Sequence, residues 1–449
     1  MKYFYNKMKI MRGLLFLLSL FLFANQTFAY DLVFPRDKKS TVSSNYAFFV
    51  GKAKNTEVIT INDEKIHVAQ NGAFAHSIKL KEGENRIVVK SNFNTQVYKF
   101  IKNPPVVSAK PELIEFDAKN FIVKKDNTPL RSTPIDYGMN RISHLFKDTP
   151  LVVDGSQGEF YRVKLSKNKT AWIMKSAIEE FSGEICVPDF VSMNSETFKN
   201  ASSHTIEFTN KLPYTIEETD KEIIFRVYNP LKSDNSVYTI NIKKPEKYSY
   251  TTTLCEGKYL IKLNYLPQEF NVVIDPGHGG SERGAIGCLG DKEKDINLKI
   301  ALELKDILSQ MGVNAVMTRE CDGNVSLDDR VKFARDNCAN IFVSIHLNSI
   351  PDIKMDIHKN RGTSVYYYNP NSKELAKSVQ DSVTSVLGTR KDGVRTASFA
   401  VIRPTDYIGI LVETAYMTNP LDSVMYKSDS FAREAARGIA EGIFAFVNK

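Results

Sequence analysis

The sequence predicts an α/β domain over residues 271–449, with a largely parallel, helix-flanked sheet, preceded by several small all-β modules. Three observations lead there. From Val272 onward, strand-like apolar runs alternate with helix-length amphipathic segments, the pattern of strands joined by helical crossovers. From Ala47 to Lys102 the apolar pattern instead has period two and is broken by turn residues, and two further β-rich stretches follow before residue 268. The chain has 449 residues, 42% hydrophobic and 25% charged, enough for about three domains at roughly 150 residues each. That composition excludes a wholly disordered chain, a collagen-like fibre and a multi-span membrane protein.

Residues 1–12 are basic, Leu14–Phe23 is a ten-residue apolar run, and Ala24 to Ala29 supplies small residues at a cleavage site. This is the layout of a secretory signal peptide over 1–29. Ten helical residues rise about 15 Å, half of a hydrocarbon core, so a permanent anchor fits less well. Export to the periplasm or to the cell wall and exterior is therefore expected. The formal net charge is +8, from 60 Lys plus Arg and 52 Asp plus Glu. The signal carries four of the basic residues and no acid. Residues 271–449 are near neutral (22 basic, 23 acidic), and 30–270 hold 34 basic against 29 acidic. A balance this modest suits an anionic envelope surface and argues against nucleic acid.

In the first module, 30–105, Val58-Ile59-Thr60-Ile61 runs into Asn62-Asp63, Ala73-Phe74-Ala75 follows Asn71-Gly72, and Glu82-Gly83-Glu84-Asn85 precedes Arg86-Ile87-Val88-Val89-Lys90. Short strands at this turn spacing predict a small sandwich. The run from Gly72 to Lys90 resembles the bacterial immunoglobulin-like modules of exported proteins. Asn103 to Pro111 reads as a linker. The second module, 112–180, has strands at Pro150–Asp154, Phe160–Val163 and Thr170–Ile173 after a Pro129–Pro134 opening. It resembles the bacterial Src-homology-type barrel of cell-wall enzymes, which implies ligand or wall binding. The only tryptophan, Trp172, fits that role or a core-filling one. The third, 185–268, includes Thr205–Phe208 and Glu222–Val227 and is similar to the envelope-targeting module preceding some exported amidases. Five cysteines (186, 255, 288, 321, 338) form no CxxC pair, so a cysteine-based metal site is unsupported. Cys186 and Cys255 are candidates to staple the third module; the alternative is buried thiols.

In the α/β domain, Val272–Ile274, Val313–Thr318, Ile341–Ile345, Ser364–Tyr368 and Ile408–Val412 read as strands. Helices are predicted near 293–311, after a Ser326 cap, and near 372–387 and 430–447. Two histidines fall just past predicted buried strands, where the carboxyl ends of an open sheet gather and ligands bind. His278 sits in the turn Asp275-Pro276-Gly277-His278-Gly279-Gly280, and His346 ends Ile341–Ile345. Glu293 opens the following helix. Glu413 ends Ile410-Leu411-Val412, an apolar strand that would normally exclude a carboxylate. Two imidazoles and a carboxylate make the His₂Glu set of a catalytic zinc site, and a further carboxylate beside it can carry a proton. Singly, each residue reads more readily as structural; their convergence at one sheet edge is what points to a site. His358, in the polar loop 351–361, lacks that context and is read as a surface residue. Asn348, two residues past His346, is a candidate substrate-binding group or a turn-forming Asn.

Those residues, with Gly284-Ala285, Glu293-Lys294-Asp295, Thr318-Arg319, Leu327 with Arg330, Ser344-Ile345-His346-Leu347-Asn348, Val412-Glu413 and Thr418-Asn419-Pro420, resemble the zinc-dependent N-acetylmuramoyl-L-alanine amidases over nearly all of 271–449. The resemblance implies one Zn²⁺ held by His278, Glu293 and His346, with Glu413 as general acid/base. It implies hydrolysis of the amide between N-acetylmuramic acid and L-alanine in peptidoglycan, for wall remodelling or daughter-cell separation. Anionic envelope polymers or an activator protein are further candidate partners. Glu282, Leu347 and Thr414-Ala415-Tyr416 depart from the family's usual Asp, Ala and Cys-Gly-Phe, and none of these removes a ligand. The loop after His346 is too short for the inhibitory helix some relatives carry there. The rival readings are a zinc peptidase acting within the stem peptide and a non-catalytic wall-binding protein.

Overall fold

The computed structural model describes residues 30–449, except 55–56, 93, 105–110, 184–185, 233, 235, 256, 350–356 and 358–359. The expected signal peptide, His358 and most of the expected linker lie outside the described residues.

The first module is built of two sheets. Tyr30–Phe34, Tyr46–Ala53 and Ala73–Lys79 form one; Lys39–Val42, Thr95–Lys102, Gly83–Lys90, Ile59–Ile61 and Glu64–Ile66 form the other. Alternate residues point inward from both, so Phe49, Phe74, Ile59, Ile87, Val89 and Phe100 share one core. Asn62 and Asp63 both take positive φ, 50° and 65°, which closes the two-residue hairpin between Ile59–Ile61 and Glu64–Ile66.

Seven strands, from Leu113–Val123 to Ile178–Glu180, form the second sheet. Trp172 is half-buried between cross-strand partners Arg131 and Arg162, while its neighbours Ala171 and Ile173 are buried. The core-filling reading of Trp172 is thus corrected: the period of two puts its neighbours inside and its own ring on the other face. In the third module, a four-stranded sheet (Phe190–Thr197, Ala201–Phe208, Lys258–Tyr265, Tyr248–Cys255) accompanies a three-stranded one (Tyr214–Glu218, Glu222–Tyr228, Val237–Lys243). The boundary near 180–185 does not divide the core. Phe121, Leu145, Leu151 and Val163 belong to one buried cluster with Phe208, Phe225, Tyr259 and Leu263.

From Asn271 the chain builds a six-stranded sheet. Its strands are β1 (Asn271–Pro276), β2 (Asn314–Met317), β3 (Ile341–Asn348), β4 (Thr363–Tyr367), β5 (Lys391–Thr396) and β6 (Ile408–Tyr416), in the order β2-β1-β3-β6-β4-β5. The sheet is mixed. β1 pairs in parallel with β2 and β3, β3 with β6, and β4 with β5, while β4 is antiparallel to β6. Helices α1 (Glu293–Gln310), α3 (Lys373–Leu387) and α5 (Phe431–Val447) bury Ile300, Leu304, Val379 and Ile439 with Ile274, Val343 and Ile410 on one face. On the other face, α2 (Leu327–Asp336) packs near Val273, Phe342 and Leu411. Ser326 caps α2, its Oγ accepting from Asp329 N at 3.1 Å. A short helix, α4 (Pro420–Tyr426), precedes α5.

All three β modules pack on this domain, the second where Tyr368 Oη donates to Gly138 O at 3.3 Å. Val50, Ala69, Ala73 and Ala75 of the first module are buried with Cys288 and Ile357, and Asn71 Nδ2 donates to Ser423 Oγ at 3.1 Å. The third module engages the opposite sheet end: Tyr250 N donates to Thr405 O at 2.7 Å and Asn371 Nδ2 to Tyr248 O at 2.9 Å.

All five cysteines are free thiols, so the Cys186–Cys255 staple is not formed. Four of them are exposed, which also corrects the buried-thiol alternative for every cysteine but Cys288. Burial pushes the Cys288 thiol up to about 12, leaving very little thiolate at neutral pH. A thiol reagent at pH 8 should titrate four thiols quickly in the native protein and the fifth only after denaturation. Five fast thiols would contradict the packing of the first module over Cys288.

Candidate metal centre

Burying a carboxylate calls for donors or positive charge around it, and Glu293 has both. It is the first residue of α1 and is 4% exposed. Its Oε1 lies 2.8 Å from His346 Nδ1 and accepts from Leu347 N at 3.2 Å and Asn297 Nδ2 at 3.3 Å. Its Oε2 accepts from Ala285 N at 2.8 Å and lies 3.2 Å from His278 Nε2. Burial alone would raise this carboxyl; the two imidazoles outweigh it and hold the group well below the usual carboxylate range.

His278 follows β1 in the glycine-rich turn, and His346 sits near the carboxyl end of the neighbouring β3. Their ring centroids are 5.0 Å apart and nearly perpendicular. One donor atom from each of His278, Glu293 and His346 lies within 4.8 Å of the others. Gly277 is what lets the turn come this close, because a Cβ there would run into the His346 imidazole.

A buried ion pair holds the turn from behind. Asp275 is buried, its Oδ1 accepting from Thr318 Oγ1 at 2.7 Å and Arg330 Nη1 at 2.5 Å, its Oδ2 from Ser344 Oγ at 2.8 Å. Arg330 also donates to Pro276 O at 2.9 Å and His278 O at 2.8 Å. Arg319 donates to Pro276 O at 2.9 Å and to Gly277 O and Lys294 O at 3.0 Å each. Two guanidinium forks thus fix three successive carbonyls around His278, whose φ of 60° lies in the left-handed region.

Glu413 stands beside the cluster. On β6 it is the register partner of His346 on one side and of Ser364 on the other, so the three side chains share one face across β3, β6 and β4. Its Oε2 is buried with no hydrogen-bond partner among the described residues. Burial, and secondarily the charge on Glu293, push its carboxyl well above the ordinary value. Ser364 is fully buried, and its Oγ likewise has no partner among the described residues. Asn348 ends β3, its carbonyl accepting from Met417 N at 2.7 Å. The structure therefore brings His278, Glu293, His346 and Glu413 together. Asn297 and Ser364 were not anticipated, although Asn297 follows Glu293 by four residues on the same helix and so shares its face.

Residues 272–445 match the family model described as N-acetylmuramoyl-L-alanine amidase. The uncharacterised protein YqiI of Bacillus subtilis (strain 168) is 36% identical over 182 residues, which is 40% of this chain and 85% of YqiI. The chain belongs to the N-acetylmuramoyl-L-alanine amidase family. It is also 37% identical over 179 residues to the N-acetylmuramoyl-L-alanine amidase LytC of the same organism, covering 39% of this chain and 35% of LytC. Among solved structures, the catalytic domain of CwlV from Bacillus (Paenibacillus) polymyxa var. colistinus is 35% identical, matching 40% of this chain and 98% of that domain with a TM-score of 0.37. The family match falls on the α/β domain, and the β modules lie outside it.

Asn297 supports the Glu293 carboxylate of this candidate cluster from behind. Asn297→Ala should therefore weaken metal binding by about 10–100-fold, read by competition against a chromogenic chelator, with the fold retained by circular dichroism. Unchanged affinity would remove Asn297 from the support of Glu293.

Proposed function

We propose that residues 271–449 form a zinc hydrolase that cleaves the amide between the lactyl group of N-acetylmuramic acid and L-alanine in peptidoglycan. The observation that carries this reading is the His278–Glu293–His346 donor set with the unpartnered carboxyl of Glu413 on the neighbouring strand, in a domain of this family.

The donor set fits zinc. Two imidazoles and a carboxylate are borderline-soft and hard ligands of the kind catalytic zinc uses, and bonds near 2.1 Å would separate tetrahedral ligands by about 3.4 Å. The 2.8 and 3.2 Å contacts of Glu293 with the two rings are close to that spacing. Bound there, zinc supplies Lewis-acid polarisation of a water and of the scissile carbonyl.

The chain's own residues do the rest. Glu413 Oε2 takes a proton from the attacking water and delivers it to the departing L-alanine nitrogen, a role suited to a carboxyl whose proton affinity burial has raised. Ser364 Oγ, next to Glu413 in register, is the nearest strand neighbour able to steady that carboxyl by donating to it. The buried Asp275–Arg330 pair and Arg319 hold His278 in position, so little reorganisation accompanies the reaction. Asn348, two residues beyond His346, is the candidate contact for the peptide stem.

The leader over 1–29 would deliver the protein to the periplasm or the wall, with peptidoglycan as substrate. No helix among the described residues is long and apolar enough to cross a membrane. The Glu413→Gln variant should bind zinc normally yet lose at least about 10²-fold in turnover on purified sacculi. Products of the unmodified enzyme should carry new L-alanine amino termini and glycan strands free of peptide. New termini within the stem peptide would mark a peptidase instead.

A further inference from the structure

A cleft of about 1080 Å³ opens where the second and third modules meet the amidase domain. It is lined by Arg141 and His144 from the second module, Tyr250 and Thr252 from the third, and Tyr368 and Arg403 from the amidase domain. It lies at the other end of the sheet from the metal centre, because Pro404, Thr405 and Asp406 precede β6 while Glu413 lies near the far end of that strand.

The charges around it do not cancel locally. Of the carboxylates lining the cleft, Asp336 pairs with Lys332, Asp406 with Arg335 at 2.7 Å, and Glu218 with Lys244 at 3.4 Å. Asp328 is exposed in the first turn of α2, where the helix amides favour it, and its charge reaches Arg403 without forming an ion pair. Arg141 and Arg403 have no carboxylate partner among the described residues. Arg141 Nη1 reaches His144 Nε2 at 3.4 Å, and Arg403 Nη1 reaches Ser398 O and Oγ at 3.5 Å, the outer limit of a hydrogen bond. Arg131, itself paired with Asp136, adds a third guanidinium close enough to act on both. His144 accordingly cannot share the positive charge: burial and these three arginines push it down to about 4. Three donors on the wall remain unused. Arg141 Nε, Ser143 Oγ and Thr252 Oγ1 are buried without a hydrogen-bond partner among the described residues.

The geometry points to a binding site for a phosphate-bearing polyanion in this cleft. Guanidinium forks approach tetrahedral phosphate through paired N–H donors, and phosphate offers enough acceptor oxygens to bridge two arginines, which a single carboxylate does less well. The volume exceeds what a lone phosphate needs and sits at the upper end of small-ligand sites, so the occupant is a repeating phosphodiester chain. Because the cleft is remote from His278 and Glu413, an anionic polymer held there would tether the enzyme while leaving its substrate groove free.

The test uses the full mature chain and three probes: a glycerol-phosphate oligomer, inorganic phosphate and polyglutamate, titrated calorimetrically at 150 mM salt. The oligomer should bind, and Arg141→Gln and Arg403→Gln should each weaken it at least about tenfold. Hydrolysis of a small soluble muropeptide should be unchanged in both variants. In the unsubstituted protein, the oligomer should also protect Arg141 and Arg403 from phenylglyoxal while the exposed Arg433 and Arg437 still react. That readout stands even where a variant fails to fold. Equal binding of polyglutamate, binding of inorganic phosphate without the oligomer, or oligomer binding that neither substitution weakens and that protects neither arginine would each overturn the proposal.

Discussion

A carboxylate at the start of a helix, shut away from water, holds this amidase domain's site together. Glu293 can stay ionised only because two imidazoles, two backbone amides and Asn297 surround it. Those groups come from four stretches of chain: the turn after β1, the loop before α1, the helix itself and the end of β3, which supplies both His346 and the Leu347 amide. Satisfying one buried charge therefore forces four segments to converge, and the convergence is the candidate metal centre. The buried Asp275–Arg330 pair repeats the same logic one layer deeper, where loss of either partner would leave an uncompensated charge.

The parallel registers of β1, β3 and β6 give that convergence its location. They bring Pro276, Ile345 and Val412 level with one another, so the residues just beyond them, His278, His346 and Glu413, meet at one edge. The β modules then bear on the domain from two sides. The first covers Cys288 and Ile357, in the loops leading into Glu293 and away from His346. The third is fastened at the opposite sheet end through Tyr250 and Tyr248. The first module thus flanks the end that carries the chemistry, and the second and third frame the other.

Much of this was legible in the sequence because the signals are local. A histidine after an apolar strand, a glycine-rich turn and an acid directly after Ile410–Val412 are each anomalies that composition alone does not explain, and all three lie at the site. The strands and helices of the amidase domain follow from apolar period, as with Ile300 and Leu304 on α1. What the sequence did not disclose depends on partners far apart in the chain. Period two cannot say which face of a strand is buried, so Trp172 was as good a core candidate as Ala171. Nor can it say that Phe121 and Phe208 share a core, since each module's pattern is self-consistent alone. Ser364 carried no signal in a strand of tyrosines, and Arg319 and Arg330 were conspicuous motif residues without a role until their carbonyl acceptors were seen. Free cysteines follow the same rule, because spacing does not fix the distance between Cys186 and Cys255.

The central claim is that His278, Glu293 and His346 share one metal ion. Zinc-edge X-ray absorption on the purified mature protein tests it most directly. The account predicts a single zinc per chain with nitrogen and oxygen neighbours at about 2.0–2.2 Å and the multiple-scattering pattern of two imidazoles. A sulfur shell near 2.3 Å, the pattern of one imidazole or none, or a protein that retains no zinc would contradict it.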